Sequence, residues 1–438
     1  MKFKFDVRQH FFVTFIHLSI ITWLHASTTA NEAEICELDS LTAYIEYAMQ
    51  NNRDLKASFY VWKEREESVI SARSLPDPKL KYSNFLSEVE TRTGPQQNRI
   101  GISQTLPWFG KRRAQEGHAS QVAMAAFQEY EAKKLTLRRD VKVIYYELHY
   151  LREAIEITKS NIALLKKLET VTQAKVKTGG ELSTLIKLQT EVAKLEDQIE
   201  SLTKMRRPLH ASLNNLLNLP IHTNHRWPDN TLGPSIMKID EQLISLLENQ
   251  HPDLKAKKHR IESAEFLIEK RRKDFYPDLS FGFDYIDTGI GQLPPTGVRG
   301  KDPLIASISF NLPIWRGKHV ANLNSAKHRR NVAFYSYEQS RNHLVSSIQI
   351  RLNKFEEADR RVHLYNSSLI PLAKSAFDIS QESYKNGETT FIELIDSQRS
   401  LLEFQLIYEE SLKNRLQHAA FLEALVGQDI IKIDNDSK

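Results

Sequence analysis

The sequence predicts a mainly α-helical chain with a small β part, built from long helical hairpins and four strands. Three observations support this class. Glycine and proline number only 15 each among 438 residues, which is few turn formers for this length. Two long stretches, 114–177 and 320–385, repeat apolar residues at steps of three and four. Four short segments alternate apolar and polar residues, as strands with two different faces do.

The chain reads as two copies of one plan. Five pairs of segments match in the same order along the sequence: 52–57 with 251–256, 75–77 with 276–278, 103–114 with 309–321, 177–179 with 385–387, and 185–189 with 394–398. The offset between the paired segments drifts only from 199 to 209. Such self-similarity is typical of a repeated structural unit. We therefore predict five regions: a signal peptide at 1–30, a first repeat at 31–218, a linker at 219–248, a second repeat at 249–427 and a tail at 428–438.

The N-terminus reads as an export signal. Basic residues precede the apolar run 11–24, and the small residues 28–30 follow it, which predicts a secretory signal peptide cut after Ala30. An uncut membrane anchor is the alternative. The single cysteine, Cys36, excludes an internal disulfide, and the residues before it are unlike a lipidation site. The formal net charge of +5 indicates a solvated surface rather than a nucleic-acid partner.

Each copy is predicted to contain the same elements in the same order. A helical stretch comes first, at 41–73 and 241–273. Two strands follow, at 80–90 and 99–106 in the first copy and at 279–288 and 305–312 in the second, with loops at 91–98 and 289–303. A long helix of about 100 Å comes next, at 114–177 and 320–385. A glycine-containing turn then leads into a helix of about half that length, at 182–217 and 390–426.

The long helices carry the pattern of coiled coils. The stripe of the second copy is Leu344, Ile348, Leu352, Phe355, Ala358, Val362, Tyr365, Leu369, Leu372, Ala376 and Ile379. The first copy has a similar stripe from Leu137 to Leu168, with polar Thr158 at one step. A 3.5-residue repeat predicts helices that supercoil against neighbours. Pro371 lies within the second stripe and is expected to kink that helix.

Each second strand ends in the same kind of corner. Proline ends a strand because it cannot donate to the ladder, and glycine lets the chain turn into the helix. A tryptophan suits a membrane interface, where its ring is half apolar and half hydrated, and it is equally consistent with a packed core. The spacing does not fit a phosphate-binding loop. The corner residues are Pro107, Trp108 and Gly110, and Pro313, Trp315 and Gly317.

The strand pairs predict an assembly of several chains. Four strands cannot close a barrel, and exposed sheet edges invite pairing. Three chains would supply twelve strands, which lies within the range of outer-membrane barrels. The long helices would then extend from the barrel as a hollow tube.

The sequence resembles the TolC family of trimeric outer-membrane channels, and within it the CusC- and CzcC-type members of heavy-metal efflux pumps. The motifs that carry the resemblance are SLPDPKL (74–80), GISQTLPWFGKR (101–112), DFYPDLSFGFDY (274–285) and FNLPIWRGK (310–318). The resemblance implies a homotrimer with a twelve-stranded barrel in the outer membrane and an α-helical tunnel in the periplasm. It also implies a periplasmic adaptor protein, an inner-membrane transporter of the resistance-nodulation-division type, and a cargo of heavy-metal cations or other small toxic compounds.

The resemblance also assigns roles to two groups of residues. The turns after the long helices would form the periplasmic tip that meets the adaptor, through Gly179, Gly180, Glu181, Asn386, Gly387 and Glu388. Glu393 and Asp396, three apart on one helix face, would line the aperture of the closed tip, where six carboxylates from three chains would favour cations. An ordinary solvated helix face is the alternative. Lys187 is hypothesised to pair with one of these acids.

No catalytic motif is present, and neither an enzyme nor a cofactor is predicted. His222 and His225 are the closest histidine pair, but a zinc site needs three or four ligands at suitable spacing. Two rivals to the efflux channel are carried forward. One keeps the fold and exports protein or peptide through a type I secretion system, and the other is a periplasmic coiled-coil scaffold without a pore.

Overall fold

The computed structural model describes residues 38, 40–91, 94–228, 243–290 and 301–427. The predicted signal peptide, most of the loop between the third and fourth strands, much of the linker and the C-terminal tail lie outside these described residues.

The first repeat holds four helices and two strands. In chain order they are α1 (Leu41–Asn51), α2 (Arg53–Arg73), β1 (Lys79–Thr91), β2 (Gly94–Leu106), α3 (Lys111–Lys177) and α4 (Leu182–Leu217). The second repeat follows the same order with α5 (Leu243–Gln250), α6 (Pro252–Lys273), β3 (Leu279–Thr288), β4 (Leu304–Phe310), α7 (Arg316–Leu364), α8 (Ile370–Asn386) and α9 (Phe391–Val426). A π-helical turn, Tyr365–Leu369, joins α7 to α8. The mainly α class with a small β part is confirmed.

The helical stretches ahead of the strands are each broken once, where one continuous helix was predicted. Asn52 ends α1 and caps α2, because its Oδ1 accepts a hydrogen bond from the backbone N of Leu55 at 2.8 Å. His251 does the same for α6, since its Nδ1 accepts from the backbone N of Asp253 at 3.2 Å. These residues open the first matched pair of segments, so that sequence match marks a shared helix cap.

The prediction of a loop at 91–98 was wrong, because β2 already begins at Gly94. Polar side chains bond to one another across this end of the sheet. Asn84 Nδ2 donates to Asn98 Oδ1 at 2.9 Å, and Asn98 Nδ2 donates to Asp287 Oδ2 at 3.0 Å. The backbone ladder does not need apolar side chains, so the strand runs on beyond its alternating segment. β4 also ends earlier than predicted, at Phe310.

The apolar stripe of α3 is confirmed as a buried seam. Leu148 and Leu165 are almost completely buried within it. Thr158, the polar step, is fully buried as well, and its hydroxyl donates to the carbonyl of Ala154 at 2.7 Å. That bond satisfies the one polar group in the seam.

The stripe of the second long helix holds only as far as the π-helical turn. Ile348, Phe355 and Val362 are buried before the turn, as predicted. After it Leu372 and Ile379 are 66% and 68% exposed, and the buried residues are instead Ala373, Phe377 and Tyr384. A π turn inserts one residue, so each later position rotates and the buried face moves on by one. The turn ends just before Pro371, whose missing N–H cannot continue the α-helical ladder.

The four strands form one antiparallel sheet in the order β1-β2-β3-β4, so the two repeats meet at the pairing of β2 with β3. Three apolar clusters hold the helices together. One joins α1, α3, α4 and α9, a second joins both hairpins towards their turns, and a third joins α5, α6, α7 and α9. In the part of the chain that the structure describes, no helix combines the length and apolar character needed to cross a membrane.

Candidate functional site

The sheet has one apolar face, and that face is exposed. The register places Ile100 beside Tyr285 and Ile102 beside Phe283. β1 and β4 extend the same rows at the two sides. Leu279 on this face is half-buried. The exposed large apolar side chains on this face are Leu80, Tyr82, Ile100, Ile102, Leu106, Phe281, Phe283, Tyr285, Leu304, Ile308 and Phe310. A continuous apolar surface of this kind marks an interaction site rather than an ordinary soluble surface.

The opposite face of the sheet is mostly polar, with Ile286 and Ile305 as apolar exceptions. Arg99 and Asp284 form a two-pronged ion pair, with nitrogen–oxygen distances of 3.0 and 2.8 Å. Nearer the helices, the hydroxyls of Thr105 and Ser280 are 2.9 Å apart. Apolar side chains on one face and mainly polar side chains on the other are the pattern of strands that separate lipid from a water-filled lumen.

The two outer strands, β1 and β4, are each paired on one side only within the described residues. Their free edges carry a row of backbone groups that can bond to another strand. The described part of one chain therefore does not complete the sheet.

The first corner, residues 107–111, packs against the second repeat. The ring of Trp108 stacks on Tyr276 at 5.2 Å, with 6° between the planes. The backbone N of Trp108 donates to Asp278 Oδ1 at 2.8 Å, and Lys111 forms ion pairs with Asp274 at 3.1 Å and Asp278 at 3.0 Å. Trp108 is therefore packed within the chain, although its side chain is only half-buried. Gly110, at φ +79°, caps the start of α3.

The second corner, residues 313–318, differs from the first. Trp315 is 75% exposed and Gly317 lies in the first turn of α7. Pro313 is half-buried, and an additional residue, Ile314, separates it from the tryptophan. The two corners therefore share residue types but have different surroundings within the chain.

Both helix turns use glycine in the left-handed region. Gly179 has φ +104° and Gly387 has φ +83°, a conformation that a side chain would strain. Gly180 follows the first turn, and Glu181 precedes the first residue of α4. At the second turn α8 ends at Asn386, and the backbone N of Glu388 donates to the carbonyl of Ser383 at 2.8 Å, which is the Schellman ending.

The three residues predicted to line the aperture lie near one another, but their side chains make different contacts. The Glu393 carboxylate turns back to the backbone N of Thr390, at 3.4 Å, and completes a capping box at the start of α9. Asp396 is exposed and lies 3.4 Å from Arg399. Lys187 lines a groove of about 390 Å³ between α4 and α9, together with Asp396 and Arg399.

The ion pair that joins the two hairpins at this groove is one that the sequence did not reveal. Arg399 of α9 donates to both carboxylate oxygens of Glu191 in α4, with Nε to Oε2 at 3.2 Å. This bond holds the pKa of Glu191 below its usual range. Glu191 lies one helical turn beyond Lys187, so the charges that meet here are the reverse of those hypothesised. No local sequence signal links two residues 208 positions apart.

Of the histidine pair in the linker, only His225 belongs to a buried structural cluster. His225 is buried, and its Nε2–H donates to Asn214 Oδ1 at 2.6 Å. Its ring lies 5.5 Å from His210, while His222 is exposed. No group of three or more potential metal-binding side chains occurs within the described ranges. The cluster instead anchors the segment after α4 to that helix.

Acid is expected to destabilise this anchor. Burial, followed by the charges of His210 and Arg206, lowers the pKa of His225 from its ordinary 6.5 to about 4. At a pH between these two pKa values, His225 is protonated in the unfolded chain but not in the folded chain. The stabilisation is therefore complete above pH 6.5 and decreases as the pH falls towards 4, by at most about 3 kcal/mol. Urea unfolding across this range measures the effect. His225→Gln should make the pH dependence less steep, while His149 and His418, whose pKa values burial also lowers to about 4, keep part of it. Replacing the exposed His222 by glutamine is the matched control.

An amphipathic sheet at one end of long helical hairpins defines a class of outer-membrane channel proteins. The sequence agrees, because two stretches, 44–219 and 243–428, match the model of the family "Outer membrane efflux protein". The chain belongs to the outer membrane efflux protein family. It is accordingly an outer-membrane efflux channel protein rather than an enzyme.

Individual relatives are distant but align over most of their length. Toxin and drug export protein A of Aggregatibacter actinomycetemcomitans is 23% identical over 396 residues, which cover 83% of this chain and 82% of that protein. Cobalt-zinc-cadmium resistance protein CzcC of Cupriavidus metallidurans is 21% identical, over 89% of this chain and 90% of that protein. The crystal structure of the open-state MtrE outer membrane channel of Neisseria gonorrhoeae superposes with a TM-score of 0.75 at 20% identity, over 90% of each chain. The structural likeness confirms the fold.

Proposed function

We propose that the protein works as a homotrimer and forms the exit duct of a tripartite efflux pump. The observation that carries this proposal is the open amphipathic sheet, which has one exposed apolar face, one polar face and two unpaired outer strands. Three chains would close it into a barrel of twelve strands. The apolar face would then contact the lipid of the outer membrane, and the polar face would line the pore.

The partners follow from this arrangement. A periplasmic adaptor protein would dock at the two turns of each chain, formed by Gly179 to Glu181 and by Asn386 to Glu388. An inner-membrane transporter of the resistance-nodulation-division type would supply the energy. The duct itself would be passive.

Heavy-metal cations or other small toxic compounds are the cargo we propose. The name of the relative CzcC, a cobalt-zinc-cadmium resistance protein, supports cations. The name of the relative from Aggregatibacter, a toxin and drug export protein, favours a second candidate, which is export of a protein or peptide through a type I secretion system. A wide conduit need not bind its cargo, so the choice depends on the pump that it serves.

The acidic residues of the tip would set the charge preference of the aperture. Glu393 and Asp396 lie one turn apart on α9, and three chains would bring six carboxylates together. Lys187 and the Glu191–Arg399 pair line the neighbouring groove, so opening the tip would require these charges to separate. A ring of carboxylates favours cations over anions.

Removing these charges is expected to reduce cation preference without disturbing the fold. Glutamine at position 393 still completes the capping box, so the double variant Glu393→Gln/Asp396→Asn keeps the start of α9 intact. Its cation-to-anion permeability ratio in planar bilayers should fall towards unity. Glu388→Gln, which removes an exposed charge from the turn itself, is the matched control and should keep the ratio of the unmodified channel. An unchanged ratio in the double variant would place the selectivity elsewhere.

The native mass of the protein extracted in detergent from the outer-membrane fraction tests the proposed assembly. Three chains are expected, whereas a single chain recovered from the soluble periplasm would favour the scaffold rival. Deleting the gene and measuring tolerance to zinc, cobalt and cadmium then tests the cargo. Unchanged metal tolerance together with loss of a secreted protein would favour the type I system.

A further inference from the structure

Each repeat has one corner after its second strand and one link before its first strand. Within the described residues, the corner of the first repeat contacts the link of the second, but the reverse contact is not made. We define the first link as residues 74–78, between α2 and β1, and the second link as residues 274–278, between α6 and β3. Each link contacts the corner region of its own repeat. Gln104 Nε2 donates to the carbonyl of Pro76 at 2.7 Å, and Asp278 donates its backbone N–H to Asn311 Oδ1.

The second link has a further neighbour on its other side. The first corner reaches it through Trp108, which stacks on Tyr276, and through Lys111, which pairs with Asp278 at 3.0 Å. The second link is therefore held from both sides. This contact joins the two repeats at the junction of sheet and helices, because α3 packs against α6 directly below it.

Within the described residues, no corner packs on the other side of the first link. The second corner likewise contacts no link of the other repeat. Asp77 and Lys318 are both exposed, and neither side chain forms an ion pair within the described residues. Leu75 and Trp315 are exposed apolar side chains beside them, at 43% and 75%. The unpaired parts complement each other in both charge and apolar character.

Sequence spacing matches these residues one to one. Trp315 precedes Lys318 by three residues, as Trp108 precedes Lys111. Leu75 precedes Asp77 by two, as Tyr276 precedes Asp278. Within one chain the second corner and the first link lie at opposite edges of the sheet, since β4 and β1 are its outer strands. They can therefore meet only between neighbouring chains.

We propose that the second corner of one chain holds the first link of the next, with Lys318 paired to Asp77 and Trp315 packed on Leu75 of the second copy. The inference rests on the proposed trimer and specifies how its chains join. Six contacts of related geometry would then circle the channel, three within chains and three between them. The contact between chains would be the weaker kind, because Arg73 stands where Asp274, the second acid bound by Lys111, stands in the other link.

Cross-linking tests the contact directly. In a Cys36→Ser background, Asp77→Cys/Lys318→Cys treated with a short bis-maleimide should give covalent dimers and trimers on a denaturing gel. Each single cysteine variant should stay monomeric. The matched pair Lys111→Cys/Asp278→Cys should react within one chain, which peptide mass spectrometry would detect without any change in gel mobility. A native trimer whose Asp77→Cys/Lys318→Cys form stays monomeric on the gel overturns the inference alone, whereas absence of a native trimer overturns the proposed function as well.

Charge reversal gives a second test that does not depend on the cross-linker. Asp77→Lys and Lys318→Asp, each alone, should raise the fraction of monomer released from the detergent-solubilised trimer on warming by at least about three-fold, because each trimer contains three such pairs. The double reversal should return that fraction to near the unmodified value. If the double reversal is instead as unstable as the two single effects combined, Lys318 and Asp77 are not partners.

Discussion

Replacing Phe283 by arginine is expected to prevent assembly in the outer membrane. Phe283 lies in the middle of β3 on the apolar face, is 57% exposed, and has Ile102 and Ala306 as its neighbours in register. Arginine on a lipid-facing strand costs about 2–4 kcal/mol at the bilayer midplane. A trimer would carry that cost three times. The amount of heat-modifiable trimer in the outer-membrane fraction measures the outcome.

Two control variants separate lipid exposure from loss of side-chain volume or general damage to the sheet. Phe283→Leu keeps the face apolar and should assemble normally. Ser309→Arg places the same charge on the polar face, where Ser309 pairs with Ser280. It should assemble and change only the conductance. Equal assembly of Phe283→Arg and Ser309→Arg would show that the apolar face does not meet lipid.

The features that were predicted correctly from the sequence are those that produce a short-range periodicity of apolar and polar residues. Alternation of apolar and polar residues with a period of two identifies a strand with two different faces. Apolar residues at steps of three and four identify the buried seam of a helix. The internal repeat strengthened both signals, because each motif occurred twice. For this reason the strand at Leu279–Thr288 and the helix at Leu182–Leu217 have the predicted bounds.

The features that were not predicted depend on helix irregularities and on contacts between distant segments, neither of which produces a periodic pattern in the sequence. The π turn at Tyr365–Leu369 inserts one residue, and the continued 3.5-residue stripe then selected Leu372 and Ile379, which face outward. The Glu191–Arg399 pair depends on how two hairpins are placed side by side. Pro371 already indicated an irregularity in the long helix, and two equivalent helices carry opposite charges at Glu191 and Arg399, but neither signal specifies a contact.

The second large effect is expected at a buried ion pair between the repeats. Lys142 of α3 and Glu423 of α9 lie 2.5 Å apart, and both are more than nine-tenths buried. Arg138 and Arg139 line the same small cavity of about 20 Å³. Removing the Glu423 carboxylate takes a buried negative charge away from the buried ammonium group of Lys142.

Glu423→Ala is therefore expected to lower the free energy of unfolding by about 3–5 kcal/mol. Glu423→Gln keeps the shape of the side chain and loses only its charge, so its free energy of unfolding should fall almost as much as that of Glu423→Ala. The double variant Lys142→Met/Glu423→Leu removes both charges and should recover most of the stability, because burying the pair already costs desolvation energy. Denaturation of the purified protein, followed by the circular dichroism of its helices, measures all three. A double variant no more stable than Glu423→Ala would mean that Glu423 acts through its other neighbours rather than through Lys142.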